Sequence, residues 1–490
     1  MKEFDEYYIP EIEWEYSDFP LKIINLEFEK NNWGFDKSST ITIWRNEKQE
    51  LKGEIIGSIS GFMENENESF VGEGNIIKGQ IIKGYDNKGN IFKINESFLT
   101  IFQTNSYQKN NNGYLTKGTV IFDSLDIEFL EKKSIESNDI RYDWFICNKI
   151  TPHFQRTTTR QLKPIQKKIR RNIDDYDNSI ESLIRSSSSK DYCQIKTLDF
   201  KFIISKVPSK FLNGNTEGLC FEFRENINEI DSNLITGVKS FVSFLLGTEI
   251  HHIGYSITND EKLKASHIKS LNRNISEIVM PPIKFNLKYE WGDFSFLVNQ
   301  YLPKYLDLRE SLSLDISLSK YWIAKNLPIG TNLPVLASAL ETIAGKYLKI
   351  NNLNQSEYLS QEDFLELIKK EKLILEEKLK SVEGVQIMLN KILGAFRKGA
   401  NEKMNIFFQS IGLNVGTSEK KAINLRNKMA HSSKDYNVNK NVFNDLVFSR
   451  IYETLFNRIL LKLLGFEGYY IDYSIKGCRL KHIDEVSGKN

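Results

Sequence analysis

Ala422 to Ser433 reads A-I-N-L-R-N-K-M-A-H-S-S, which sets Arg426, Asn427 and His431 close together in a region where apolar residues recur at helical spacing. A permanent cation, a side-chain amide and an imidazole in such proximity can bind a phosphate and move a proton beside it. That is what RNA hydrolysis needs, and it needs no metal. The guanidinium grips a phosphodiester in a fork of hydrogen bonds and offsets charge on the phosphorane. The imidazole takes the proton of a ribose 2′-OH or returns one to the leaving oxygen.

Outward from this stretch the chain reads as helical from Pro281-Pro282 onward. Helices are expected over Phe294–Leu302, Ser311–Asn326, Pro334–Ile350, Gln361–Leu379, Val382–Arg397, Glu402–Gly412, Ser418–Ser432 and Asn441–Leu464. Asn332 is placed to cap the third. Ser360 and Asp363 form a near capping box before a face of Phe364, Leu367, Ile368 and Leu375. Tyr469–Tyr473 is expected to return as a strand or packed tail. If 418–432 is one helix, Arg426 and His431 stand roughly 140° apart about its axis. They converge only if the helix loosens near His431 or if two copies build one site across a two-fold axis.

The first half has a different grain. From Leu21 to Leu130 short alternating apolar runs are broken by Gly and Asn, as at Asp86–Asn90 and Asn110–Gly113, which predicts an antiparallel sandwich or barrel. From Cys193 to Lys288 strands and a helix mix: Asp199–Ser205, Leu219–Arg224 and Ile250–Ile257 extended, with Leu234, Val238, Phe241, Val242 and Leu245 on one helical face. The expected organisation is therefore multidomain α+β. It comprises a β-rich domain over 1–150, a basic and Ser-rich connecting segment over 151–192, an α+β module over 193–288 and an all-α helical domain over 289–490.

The 66 basic and 64 acidic residues leave a net charge of +2, which excludes a globally basic nucleic-acid coat and makes any polyanion site a local patch. The clearest patch lies between Thr151 and Ile173, which includes Lys167, Lys168, Arg170 and Arg171 and holds no carboxylate. It reads either as a contact to RNA phosphates or as a solvated connector, since no aromatic residues are interleaved for stacking among its basic residues, from Arg156 to Arg171. Four scattered cysteines offer neither a zinc spacing nor a disulfide framework. With no signal-like start and no long apolar run, a soluble cytoplasmic protein is expected, with no cofactor and no membrane partner. His251-His252, adjacent on a strand, point to opposite faces and suit structural roles better than one shared ligand. His153, His267 and His482 have no partner recognisable in the sequence.

R-N-K-M-A-H resembles the R-x4-6-H motif of the HEPN superfamily of helical ribonucleases. Leu333–Leu348, L-P-V-L-A-S-A-L-E-T-I-A-G-K-Y-L, is similar to the Ala-Leu-Glu helix of its ApeA-like branch, and the first half resembles the amino-terminal region of ApeA anti-phage proteins. The resemblance implies an all-α HEPN bundle that dimerises to form a composite site. Arg426 and His431 would be catalytic, with Asn427 and Glu341 positioning them; Ser432, Ser433 and Lys434, which follow the motif directly, are placed to contact the RNA substrate. It also implies an endoribonuclease toxin of abortive anti-phage defence. Such a toxin would cleave RNA such as tRNA at unpaired nucleotides, restrained by its amino-terminal domains until a phage-derived activator appears. Structural readings stand beside these: an Arg–His pair anchoring a helix end, Asn427 as a surface amide, Glu341 as a polar residue at a helix interface, Lys434 as a helix terminus. The rival function is a non-catalytic HEPN module that dimerises and binds RNA as part of a sensor.

Overall fold

The computed structural model describes residues 20–29, 34–46, 48, 50–58, 77–110, 113–129, 139–147, 159–161, 167–169, 192–197, 200–207, 217–259, 262–271, 275, 278–285, 294–353, 358–379, 385–394, 398–431 and 438–488; over some stretches, among them 159–161, 167–169, 426–431 and 438–443, it describes the backbone alone. The chain divides into two compact units, Met1–Met280 with Asp293–Gln300, and Pro281–Gly292 with Tyr301–Asn490.

In the first unit the alternating sequences become strands: β1 (Leu21–Phe28), β2 (Thr40–Arg45), β3 (Leu51–Ser58), β4 (Ile77–Tyr85), β5 (Ile91–Asn110) and β6 (Gly113–Glu128). In β2 and β3, TITIWR and LKGEIIGS, burial alternates in step with polarity, so every second side chain enters a core. The strands run β6-β3-β2-β1-β4-β5, and β5 pairs back onto β6. Of the sandwich and the barrel, closure selects the barrel, in which each of these six strands pairs on both sides. Ile23, Ile41, Ile55, Ile82, Phe92 and Phe122 fill its interior.

The sheet does not end there. After β7 (Ile140–Cys147) come β8 (Thr159–Gln161), β9 (Lys167–Ile169), β10 (Tyr192–Lys196), β11 (Lys201–Val207), β12 (Glu217–Phe223), α1 (Ser232–Leu246), β13 (His251–Asn259) and β14 (Lys262–Lys269). β6 is long enough to pair with β3 along 115–121 and with β14 along 124–128. From β14 the antiparallel sheet continues through β13, β7, β12 and β11 to β10. A boundary at residue 150 therefore cuts through one sheet, because β7, ahead of that point, lies between β12 and β13. Strand spacing marks where strands are, whereas these partners are set by contacts distant in sequence. Helix α1 begins at Asp231, whose carboxylate accepts from the Leu234 N–H at 2.7 Å, and ends at Gly247 with φ 70°. Val238, Phe241, Val242 and Leu245 are buried as expected.

Across β6, β14, β13 and β7, Asp126, His267, Tyr255 and Asp143 stand in register. His267 Nδ1 lies 2.6 Å from Asp126 Oδ1, and the Tyr255 ring stacks on the imidazole. Arg141 lies over the same Tyr255 ring while donating to both oxygens of Asp143 at 2.8 and 3.0 Å. His252 Nε2 meets Asp143 Oδ1 at 3.0 Å. Burial pushes Asp126 upward, but hydrogen bonds from His267 and Asn95 outweigh it and hold the carboxyl below its ordinary value. Burial keeps the His252 imidazole neutral to lower pH than usual, in spite of Asp143. His251, by contrast, is buried near Glu249, so the two adjacent histidines have separate surroundings. Gly254 sits in the bulge of β13 at φ 147°, where a Cβ would come within 2.1 Å of the His267 carbonyl oxygen.

In the second unit the elements are α2 (Phe294–Arg309), α3 (Leu314–Lys325), α4 (Asn332–Ile350), α5 (Gln361–Leu367), α6 (Lys369–Lys378), α7 (Val385–Leu393), α8 (Ala400–Ser410), α9 (Thr417–His431), α10 (Val438–Leu463), β15 (Tyr469–Asp472) and β16 (Arg479–His482). The first seven residues of α2 belong to the first unit. α2 continues through Pro303 rather than ending at Leu302; the flanking Leu302 and Tyr305 are fully buried, and that packing offsets the missing backbone donor. α4 is the hub: it packs against α3, α8, α9 and α10. Its buried stripe of Leu333, Leu336, Leu340, Ile343 and Leu348 accounts for this. Asn332 is not its cap. It is the first helical residue, and its Oδ1 accepts instead from Ser449 Oγ at 2.9 Å. Ser360 does cap α5, accepting from the Asp363 N–H. The expected 361–379 helix breaks at Ile368, and α5 and α6 bury no residue; Leu367, expected on an inward face, is 69% exposed.

Lys325, at the end of α3, is buried with its ammonium 4.7 Å from the Tyr321 ring and 4.9 Å from the Trp322 ring. Burial draws its pKa from 10.5 down to about 8, against the pull of Glu453. Because the unfolded chain holds that proton more tightly, the resulting penalty is full below the folded value and fades as pH rises toward the unfolded one. Lys325→Met is thus expected to stabilise the protein by on the order of 3 kcal/mol at neutral pH. The gain should shrink as pH approaches about 10. Urea unfolding of both proteins at the two pH values checks this; a pH-independent difference contradicts it.

Candidate active site in the helical unit

The helix bearing the motif begins at a buried ion pair. Glu419, in the first turn of α9, accepts from the Gly416 backbone N–H at 2.7 Å, the reach-back of a capping box. Its other oxygen accepts from Arg458 of α10 at 2.5 Å and from Ser487 Oγ at 2.7 Å. Arg458 also donates to the carbonyls of Asn414 and Ile483 and lies over the Tyr470 ring. Both charged side chains are fully buried. One carboxylate therefore joins the start of α9, the middle of α10, and the tail that follows the β15–β16 hairpin. Burial raises the Tyr470 phenol well above its ordinary value, so the ring is neutral under any physiological condition.

From that anchor α9 runs unbroken to His431, packed against α4 and α10. Arg426, Asn427 and His431 all lie on it, and the helix does not loosen before His431. Of the two ways for Arg426 and His431 to meet, loosening has no room between them, since 426–431 is helical throughout, and His431 is the helix's last residue. By register, position 426 falls on the stripe of the buried residues Glu419, Ala422 and Ile423. Positions 427 and 431 fall on the stripe of Lys420 and Asn424. The side chains of 426–431 and the whole of Lys434 lie outside the described residues.

Glu341 stands on α4, exposed, one position after buried Leu340. Lys167 and Lys168 lie on β9, which pairs with β8 so that Arg160 is opposite Lys168. The described part of the basic run is thus a two-stranded ribbon, while Arg170 and Arg171 are outside the described residues, as is His153. Local sequence gave no sign of the Glu419–Arg458 pair, whose members are 39 positions apart, nor of His267's carboxylate.

α8 and α9 flank a groove of about 210 Å³. Met404, Phe408 and Ile423 are its buried floor; Asn401, Asn405, Lys420 and Asn424 are its exposed rim. Comparison with family models, with curated proteins and with solved structures returns no match. No helix among the described residues is long and apolar enough to cross a membrane.

Proposed function

We propose that the protein is a metal-independent endoribonuclease of the HEPN type, with Arg426 and His431 as its catalytic residues. The ribose 2′-OH attacks the adjacent phosphorus and the 5′-oxygen leaves, producing a 2′,3′-cyclic phosphate. His431 moves the proton, Arg426 stabilises the phosphorane, and Asn427 and Glu341 position them. The observation carrying this reading is the placement of all three motif residues on one continuous helix, fixed at its first turn by a buried ion pair and packed against α4. A rigid element of this kind suits a catalytic constellation.

The same helix favours a composite site. Within one copy, positions 426 and 431 are roughly 140° apart, so two copies facing each other supply the pair. Exposed apolar residues on the successive helices α5–α7 suit such a dimer: Leu367, Leu373, Ile374, Ile387 and Met388 are 69, 62, 52, 64 and 44% exposed. In this reading the protein is a toxin of abortive anti-phage defence and acts on unpaired nucleotides such as a tRNA anticodon loop. The β-rich unit restrains it until a phage-derived activator arrives.

Arg426→Ala and His431→Ala proteins, each alone and then mixed, are incubated with total tRNA. Single variants should be inactive, and mixed dimers, which restore one intact Arg–His pairing, should regain part of the cleavage. Unimpaired cleavage by either variant alone would count against the assignment; intact binding without cleavage by the wild type, with and without phage lysate, would favour the non-catalytic RNA-binding reading.

A further inference from the structure

We infer that the groove between α8 and α9 is the subsite that holds single-stranded RNA beside the scissile phosphate. The inference rests on the ribonuclease reading for its orientation, but its own evidence is the groove. Asn401, Met404, Asn405 and Phe408 occupy one face of α8 at helical spacing, and Lys420, Ile423 and Asn424 occupy the facing stripe of α9. Continuing that stripe by the same period reaches positions 427 and 431. The groove and positions 427 and 431 therefore share one side of one helix, while position 426 lies on the buried stripe. Asn424 and His431 are separated by about 10 Å along the axis, the rise of about three stacked nucleotides of one strand.

The chemistry of the rim selects a nucleic acid. Asn401 Nδ2 donates to Asn424 Oδ1 at 2.8 Å across the groove. This spends one donor of the first amide and one acceptor site of the second, so the pair, with Asn405, still offers donors and acceptors side by side. Such paired groups match the edges of unpaired bases. Lys420 supplies the cation for a phosphate. Around it, residues 398–425 carry Lys398, Lys403, Lys420 and Lys421 against Glu402 and Glu419, and Glu419 is withdrawn by its buried pairing with Arg458. The local field is therefore positive although the whole chain is nearly neutral. Asn401 also stands in the first turn of α8, whose N-cap, Gly399, contributes no side-chain acceptor; Glu402 in the same turn offsets the positive end of that helix, so the cation at the groove is Lys420. A volume of about 210 Å³ is below that of ordinary small-molecule sites. It admits one base or one phosphate of a strand that continues beyond it.

The test uses the full chain carrying His431→Ala, so that RNA is not consumed, and a short fluorescein-labelled RNA without secondary structure. Anisotropy titrations at several salt concentrations compare this protein with versions that add Lys420→Ala or Asn401→Ala/Asn424→Ala. All three added positions are exposed, and thermal melts verify that folding is intact. Lys420→Ala should weaken binding and lower the slope of log affinity against log salt by about 0.7, the share of one phosphate on a single strand. The double asparagine change should weaken binding roughly tenfold and leave the slope unchanged. Unchanged affinity and slope in both, or no measurable RNA binding by the parent, would overturn the subsite. Cleavage is read separately with His431 restored. If the wild type does not cut but Lys420 governs binding, the groove stands and catalysis falls. If cutting proceeds with the wild-type KM in both groove variants, catalysis stands and the groove falls.

Discussion

His431→Ala is expected to slow single-turnover RNA cleavage by about 10²–10⁴-fold, the usual contribution of a positioned general acid or base, while RNA still binds. Arg426→Ala should fall in the range of about 10²–10³-fold typical of a lost donor to a developing oxyanion. Glu341→Ala should cost less, because a residue that orients another leaves the reacting groups in place. The split matters more than the size. A defect confined to the chemical step, with affinity intact, is the signature of an interaction made only in the transition state. A loss of affinity in equal measure would instead make the motif a binding element and favour the sensor reading. Single-turnover rates and anisotropy on the same protein preparations separate the two.

The second large effect concerns stability. Glu419→Ala is expected to destabilise the helical unit by about 3–5 kcal/mol, because it strands the guanidinium of Arg458 in a site with no access to water. Arg458 already has one unsatisfied donor, Nε, so losing its carboxylate leaves little to replace it. The loss reaches the motif through α9, whose first turn Glu419 fixes, and RNA cleavage should fail at a lower temperature than in the wild type. Replacing both partners by methionine should recover much of the stability, since what costs most is a lone buried charge. Urea titration of the single and double variants measures this. A Glu419→Ala protein as stable as the wild type, or a double variant less stable than the single, would refute it.

What the sequence discloses follows the range of the interactions. Helix α9 was legible to within a residue at either end because its apolar stripe is local. The strands β2 and β3 were legible through their alternation. Barrel closure was not, since it depends on β5 meeting β6 while β6 also meets β3, and alternation is the same in a sandwich. The helix expected over Phe294–Leu302 ends just before Pro303, whose cost is local, whereas the burial of Leu302 and Tyr305 that outweighs it is tertiary. Asn332 looked like a cap by composition, but its side chain is committed to Ser449, 117 positions away. The exposure of Leu367 was hidden for a related reason: helical period marks an apolar face without saying what covers it. At the candidate site, residue types and spacing were readable. The angle between Arg426 and His431 was readable too, once α9 is a single helix. Asn401, Asn405, Lys420 and Asn424 form no motif, and only the approach of α8 to α9 makes them neighbours.

The most direct measurement of the central claim is the chemistry of the cut ends. Purified wild type is incubated with total tRNA and with an unstructured RNA in EDTA, with and without lysate of phage-infected cells as the source of an activator, and the 3′ termini of the fragments are analysed. Fragments ending in 2′,3′-cyclic phosphate, formed in EDTA and absent with His431→Ala, are the predicted result. Fragments ending in 3′-hydroxyl, cleavage that EDTA abolishes, or identical products from the His431→Ala protein would contradict a metal-independent attack by the ribose 2′-OH.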